Sequence, residues 1–342
     1  MKITLPVAAL FVFLSVSSRS AFAAVEVKGA GGVSEKPLAQ SWVSGDSGTK
    51  LKYESKNTAD AINQLLGKGC DFALIDAPLT AGQIKKAASR HLLYLPTALS
   101  AQAVVYNLPG VPSGALKLTP TVLSDIFLGR IKKWDDPALC QLNPGLLLPA
   151  IDIRVVHQSD ESSMNNFFPS FLARQNHLWT FRREKDKNLH WPVGQNVNGN
   201  EKVLGKLRQW AGVIVVMNYS YTQEKQLPVA RVRNQFGQFV APSDKSIAAA
   251  TPDMNLFNSD QTGPVAGKPG KKVYPLSEMV WTVVQQDYAK NYHNHNKGQA
   301  LINFLDWLLS SEGQAVISKA SYIPLSPKLL DQARTTLSLV QY

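Results

Sequence analysis

The stretch Asp71-Phe-Ala-Leu-Ile-Asp76-Ala-Pro78-Leu-Thr80 constrains this chain more than any other. An apolar run ends in a carboxylate, and Pro78 stops the strand at once because proline cannot donate to a sheet ladder. Open α/β sheets place their ligand-contacting residues at the carboxyl ends of strands. A strand-end Asp is equally an ordinary cap, so the surrounding pattern has to decide.

That pattern alternates short apolar strands with periodic helices, the α/β signature. Leu51-Lys-Tyr53 reads as a strand, Thr58 to Leu66 as a helix closed by Gly67 and Gly69, and Asp71 to Ile75 as the next strand. Ala101 to Tyr106 is a strand before the Asn107-Leu-Pro-Gly110 turn. Pro120 opens a helix with Leu123, Ile126 and Phe127 on one face, closed by Gly129. Asp152 to Val156 is a strand. The helix after it carries Met164, Phe167, Phe168, Phe171 and Leu172 on a core-facing stripe, with Ser162 or Ser163 as cap. Pro169 should kink or shorten that helix. Val213 to Met217 is a strand, 263–270 a surface loop, and Leu301, Phe304, Leu305 and Leu308 mark a late helix.

The N-terminus has a charged start, an apolar run from Ile3 to Val16 and Ala21-Phe22-Ala23, the form of a cleavable export signal over residues 1–23. A membrane anchor would need about 20 apolar residues. Cleavage leaves about 319 of the 342 residues, more than one hydrophobic core usually supports, so two lobes are expected. Segments near 103–108 and 275–286 are the candidate crossings. They give one lobe of 24–105 plus 272–342 and a second of 106–271, the architecture of proteins that close on a ligand by hinge motion. The formal charge of +11 permits nucleic acid, an anionic surface or a small anion as partner. The basic residues are scattered, and the densest cluster, Arg182 to Lys187, is mixed in sign, which argues against nucleic acid. Cys70 and Cys140 read as two separate buried thiols rather than one bridge.

Leu128-Gly-Arg-Ile-Lys-Lys-Trp-Asp-Asp136 with Leu142-Asn-Pro-Gly-Leu-Leu-Leu-Pro149 resembles the second-lobe motif of the periplasmic phosphate-binding proteins of Pst-type ABC transporters. The Asp71–Leu79 stretch is similar to that family's Asp-Phe-Gly-Ala-Ser-Asp-Ala-Pro-Leu segment. Gly29-Ala-Gly31, Trp42, Tyr219-Ser-Tyr221, Phe304-Leu-Asp-Trp307 and Tyr322-Ile-Pro-Leu325 fall in the family's order. The resemblance implies an α/β, two-lobed periplasmic-binding-protein fold of type II, with phosphate or a related oxyanion held between lobes and no metal or cofactor. It implies a periplasmic monomer serving an ABC permease in the inner membrane.

Position by position, the resemblance makes Asp76 the acceptor of the phosphate's own proton, a group that sulfate lacks at neutral pH. Thr58 keeps a family hydroxyl. The first loop becomes Gly29-Ala-Gly-Gly32-Val33-Ser34-Glu35, in which Val33 replaces a Thr and Ser34 offers a hydroxyl one position later. Gln158 stands where the family has Arg, and Met164 where it has Thr. Ser162 keeps a hydroxyl, Ser163 an N–H donor, and Glu161 replaces a Gly. Lys56 and His157 are the candidates for restoring the lost positive charge. Loss of the Arg alone should weaken binding about ten- to a hundred-fold, since a hydrogen bond to a charged group contributes about 1.5–3 kcal/mol. Two alternatives stand beside transport: a paralogue that acts as sensor, adhesin or interaction module, and a weak secreted phosphatase. The second needs a nucleophile or metal, and neither His293-Asn-His295 nor His91, His177 and His190 forms such a cluster.

Overall fold

The computed structural model describes residues 25–32, 34–45, 48–56, 58–76, 82, 85, 91–158, 164–173, 178–179, 191–250 and 270–342, without the side chains of 164–166 and 170. Its strands are β1 (Glu26–Gly31), β2 (Lys50–Ser55), β3 (Phe72–Ile75), β4 (Leu92–Asn107), β5 (Lys117–Leu118), β6 (Arg154–Gln158), β7 (Gln195–Val197), β8 (Val213–Asn218), β9 (Arg231–Arg233), β10 (Phe239–Val240) and β11 (Ser277–Gln285). The helices are α1 (Lys36–Val43), α2 (Thr58–Leu66), α3 (Pro120–Phe127), α4 (Pro137–Leu142), α5 (Met164–Ala173), α6 (Asn200–Gln209), α7 (Tyr219–Glu224), α8 (Asp244–Ala248), α9 (Tyr288–Tyr292), α10 (His295–Leu308), α11 (Ser311–Lys319) and α12 (Pro327–Leu337).

One mixed sheet of eight strands runs in the order β2-β1-β3-β11-β4-β8-β6-β7, and β10-β9-β5 form a small second sheet. The β1–β3 group is parallel, as is β6–β8, while β11 and β4 join the two groups by antiparallel pairing. Strand β4 changes partner midway: Leu92 to Ala101 pairs with β11, and Gln102 to Asn107 pairs with β8. Both β4 and β11 are buried along nearly their whole length, which suits central strands covered on both faces.

Strand β4 begins at Leu92, not at Ala101 as the sequence suggests. Pro96 reads as a breaker, but it falls beside the register shift at Val280/Trp281, where a missing donor is tolerated. Strand β6 is displaced towards Gln158, because Asp152 makes only an isolated bridge with Lys133. Helix α5 contains Pro169 and still runs on to Ala173. The 263–269 loop, the 182–187 cluster, His177, His190 and residues 1–23 lie outside the described residues.

Trp42 of α1 and Phe72 of β3 pack against Phe304 of α10, edge-on and tilted respectively, with centroids 5.8 and 5.4 Å from it. Gly29 makes this possible, since a Cβ there would stand 2.2 Å from the Phe72 ring. Cys70 and Cys140 are both free, as expected, but Cys140 is exposed on α4 rather than buried. The helix turns Leu139 inward beside it. Among the described residues no helix is long and apolar enough to cross a membrane.

Candidate functional site

Strands β1 and β3 are parallel neighbours, so their carboxyl ends open side by side. At the end of β3 stands Asp76, buried; at the end of β1 the chain turns through Gly32 and Ser34 into α1. The Ser34 hydroxyl lies 3.2 Å from Asp76 Oδ2 and 2.7 Å from Glu35 Oε1. Two tyrosines fix this turn by donating to its carbonyls, Tyr53 to Gly32 at 3.2 Å and Tyr322 to Ser34 at 2.5 Å. The absence of a side chain at Gly31 leaves room for the Tyr53 hydroxyl, which would meet a Cβ at 2.2 Å. The Lys56 N–H donates to Gly31 O at 2.6 Å, and Thr58 opens α2 just beyond it. Thus Gly32, Ser34, Thr58 and Asp76 gather around three strand ends in one half of the sheet.

In the other half, Gln158 ends β6 and is buried, its amide donating to Asn200 at the start of α6. Met164 opens α5. Val33, Glu161, Ser162 and Ser163 lie outside the described residues, as does the Met164 side chain.

Neither candidate for the missing cation supplies one. The Lys56 ammonium pairs with Glu54 at 2.8 Å on the surface. His157 is buried, stacked on Trp191 at 4.3 Å, with Nε2 2.5 Å from Val193 O. Burial pushes its pKa down to about 4 against the opposing pull of the Val193 carbonyl, so the ring is neutral at pH 7. The sequence expectation that these residues restore the charge is corrected.

The structure also brings in two residues absent from the sequence-level site. Glu35, at the N-cap of α1, and Glu278, on β11, are buried and close enough to Asp76 to feel its charge. Burial first, and the charge of Asp76 second, hold both carboxyls well above the usual carboxylate range. Tyr322 also feels Asp76, Glu35 and Glu278. A lone acid inside the apolar run of β11 was the signal for Glu278; for Glu35 it was its place in the first loop.

Residues 16–312 match the family model described as PBP superfamily domain. The chain is 31% identical over 303 residues to the phosphate-binding protein PstS of Haemophilus influenzae, covering 87% of this chain and 88% of the relative. It is 30% identical over 310 residues to the PstS of Pasteurella multocida, covering 90% and 88%. A solved high-affinity periplasmic phosphate-binding protein with bound phosphate shares the fold at a TM-score of 0.68 and 19% identity, covering 91% of this chain and 93% of that one.

Proposed function

We propose a function from family membership: the chain belongs to the PstS family of phosphate-binding proteins within the PBP superfamily, and it is the exported solute-binding component of a phosphate import system. The family is one of solute-binding proteins, not enzymes. Phosphate, or a closely related oxyanion, is taken between a first lobe of residues 24–105 and 272–342 and a second of 106–271. Support for two lobes comes from β4, which pairs with β11 on one side and β8 on the other. In this reading Gly32, Val33, Ser34, Thr58 and Asp76 contact the ligand from one lobe, and Gln158, Ser162, Ser163 and Met164 from the other. The protein works in the periplasm as a monomer and hands its ligand to an ABC permease.

The observation that carries the reading is Asp76, buried at the carboxyl end of β3 beside the Ser34 hydroxyl. A buried carboxylate accepts a hydrogen bond from the proton of phosphate, whereas sulfate has none to give and leaves the acceptor unpaired, at a cost of about 1–3 kcal/mol. Calorimetric titration of the ligand-free protein with phosphate tests it. Micromolar or tighter binding that sulfate does not compete away is expected. The missing cation, with Gln158 bonded to Asn200 and His157 neutral, favours a second reading as a non-transport sensor or interaction module. The absence of heat and of any thermal shift at millimolar phosphate would select it.

A further inference from the structure

Glu35, Asp76 and Glu278 converge from the β1–α1 turn, the end of β3 and strand β11, and each is at most 3% exposed. Among the described residues none of the three has an ion-pair partner. Three ionised carboxylates in so dry a place repel one another strongly, and the remedy open to them is to keep protons. The hydrogen bonds at Ser34 locate the Glu35 proton. A hydroxyl carries one hydrogen, yet Ser34 Oγ sits within bonding distance of carboxyl oxygens of both Glu35 and Asp76. The one hydrogen is shared between them, nearer Glu35 Oε1 at 2.7 Å than Asp76 Oδ2 at 3.2 Å, so the proton of a neutral Glu35 is left for Oε2.

Each glutamate has one oxygen engaged and one idle. Glu35 Oε1 meets Ser34, and Glu278 Oε1 accepts from Gln102 Nε2 at 2.8 Å. Both Oε2 atoms are fully buried and lack a hydrogen-bond partner among the described residues. Glu35 Oε2 lies against the Gly32 backbone, 2.2 Å from where a Cβ would be, so it faces the turn assigned to the ligand. On β11, Trp281 pairs with Ile75, which puts Val280 level with Asp76; Glu278 is two residues on, on the same face and past the end of β3. Among the described residues the titratable neighbours that remain are hydroxyls: Tyr53 from β2 faces Glu35, and Tyr322 faces Glu35 and Glu278. Burial keeps both phenols protonated, so they add no charge.

We propose that Glu35 and Glu278 serve the oxyanion site as neutral carboxylic acids, offering their idle oxygens as O–H donors where the family's Arg is missing, so that the anion is bound together with protons. Asp76 remains the acceptor, and the two acids supply hydrogen bonds without adding negative charge. A buried carboxylic acid donating to an oxyanion is established chemistry for an apolar site. The proposal rests on the phosphate reading above.

The test is phosphate calorimetry on the mature protein and on Glu278→Ala, Glu278→Gln and Glu35→Gln, from pH 5 to 9, with thermal unfolding to establish that each variant is folded. At pH 6, Glu278→Ala should weaken binding at least tenfold, and Glu278→Gln, which keeps an N–H donor, should recover most of that loss. Rising pH should weaken wild type relative to Glu278→Gln and to Glu35→Gln, a comparison that cancels the ionisation of phosphate itself. Tenfold or greater tightening in Glu278→Gln at pH 6 would mean an ionised, repelling Glu278 and overturns the proposal. Equal affinity of wild type, Ala and Gln variants overturns it as well and leaves the phosphate reading standing. Failure of wild type to bind phosphate at any pH removes that reading itself.

Discussion

Ser34 and Asp76, 42 residues apart in the chain, meet with the Ser34 hydroxyl 3.2 Å from Asp76 Oδ2, because β1 and β3 are parallel neighbours that end at the same level. The contact holds the carboxylate at the end of β3, and in the proposed reading its second oxygen accepts the ligand proton. Asp76→Asn replaces that acceptor with an amide able to donate instead. Phosphate affinity should fall about ten- to a hundred-fold, the effect of losing a hydrogen bond to a charged group of about 1.5–3 kcal/mol. Sulfate should gain affinity in the same variant. Competition calorimetry reads both, and unchanged selectivity between the two anions would remove Asp76 from the site.

His157 sets a pH dependence of stability that is separate from the ligand. Its ordinary pKa is about 6.5 in an unfolded chain, and in the fold burial lowers it to about 4. The unfolded state therefore binds more protons between these values, so the contribution is complete above pH 6.5 and is lost as pH falls towards 4. The gap corresponds to roughly 3 kcal/mol at most. Glu35 and Glu278 slope the opposite way. Their raised pKa values favour the fold at low pH, and that contribution fades as pH climbs above the ordinary carboxylate value of about 4.3. Urea denaturation of wild type and His157→Phe from pH 4 to 7 isolates the histidine by difference; parallel pH profiles would show that the ring does not titrate as argued.

The sequence discloses the parts of this molecule that depend on local chemistry. Helix α2 spans Thr58 to Leu66, as its apolar spacing and following glycines require. Asp76 announces itself because a strand, a carboxylate and a proline follow one another. What stays hidden depends on pairing between distant segments. Pro96 looks like the end of a strand until β11 provides an irregularity opposite it. Glu278 lies in a nine-residue buried strand and gives no sign of its neighbours until the β3 register brings it past Asp76. His157 looks like a spare cation until Trp191, 4.3 Å away, covers its ring.

The two cysteines should behave differently towards a thiol reagent. Cys140 is exposed, whereas Cys70 is buried and burial pushes its thiol pKa up to about 12. Reaction needs thiolate and access, so native protein should release one equivalent of chromophore from an aromatic disulfide reagent, and urea-unfolded protein two. One equivalent or none after unfolding would indicate a bridge or a blocked thiol, against the free pair in the fold.

Strand β3 is preceded by one Asp and followed by another, and the two should separate cleanly by experiment. Asp71 is fully buried and accepts from the Lys28 N–H, the Tyr288 hydroxyl and the Lys297 ammonium, each at 2.7 Å. These partners come from β1, α9 and α10, so the carboxylate ties the first turn of β3 to three other elements. Lys297→Met leaves a buried charge with only two neutral donors. Removing one member of a buried pair costs about 3–5 kcal/mol, and the two remaining donors with the partial exposure of Lys297 put the expected loss near the lower bound. Tyr288→Phe removes one hydrogen bond to a charged group, about 1.5–3 kcal/mol, and the double variant should be non-additive because both act on one carboxylate. Phosphate affinity should be preserved in Lys297→Met below its unfolding temperature, since Asp71 stands at the opposite end of the strand from Asp76. Loss of affinity in step with loss of stability would mean that the position of β3 itself, and not only its terminal carboxylate, governs the site.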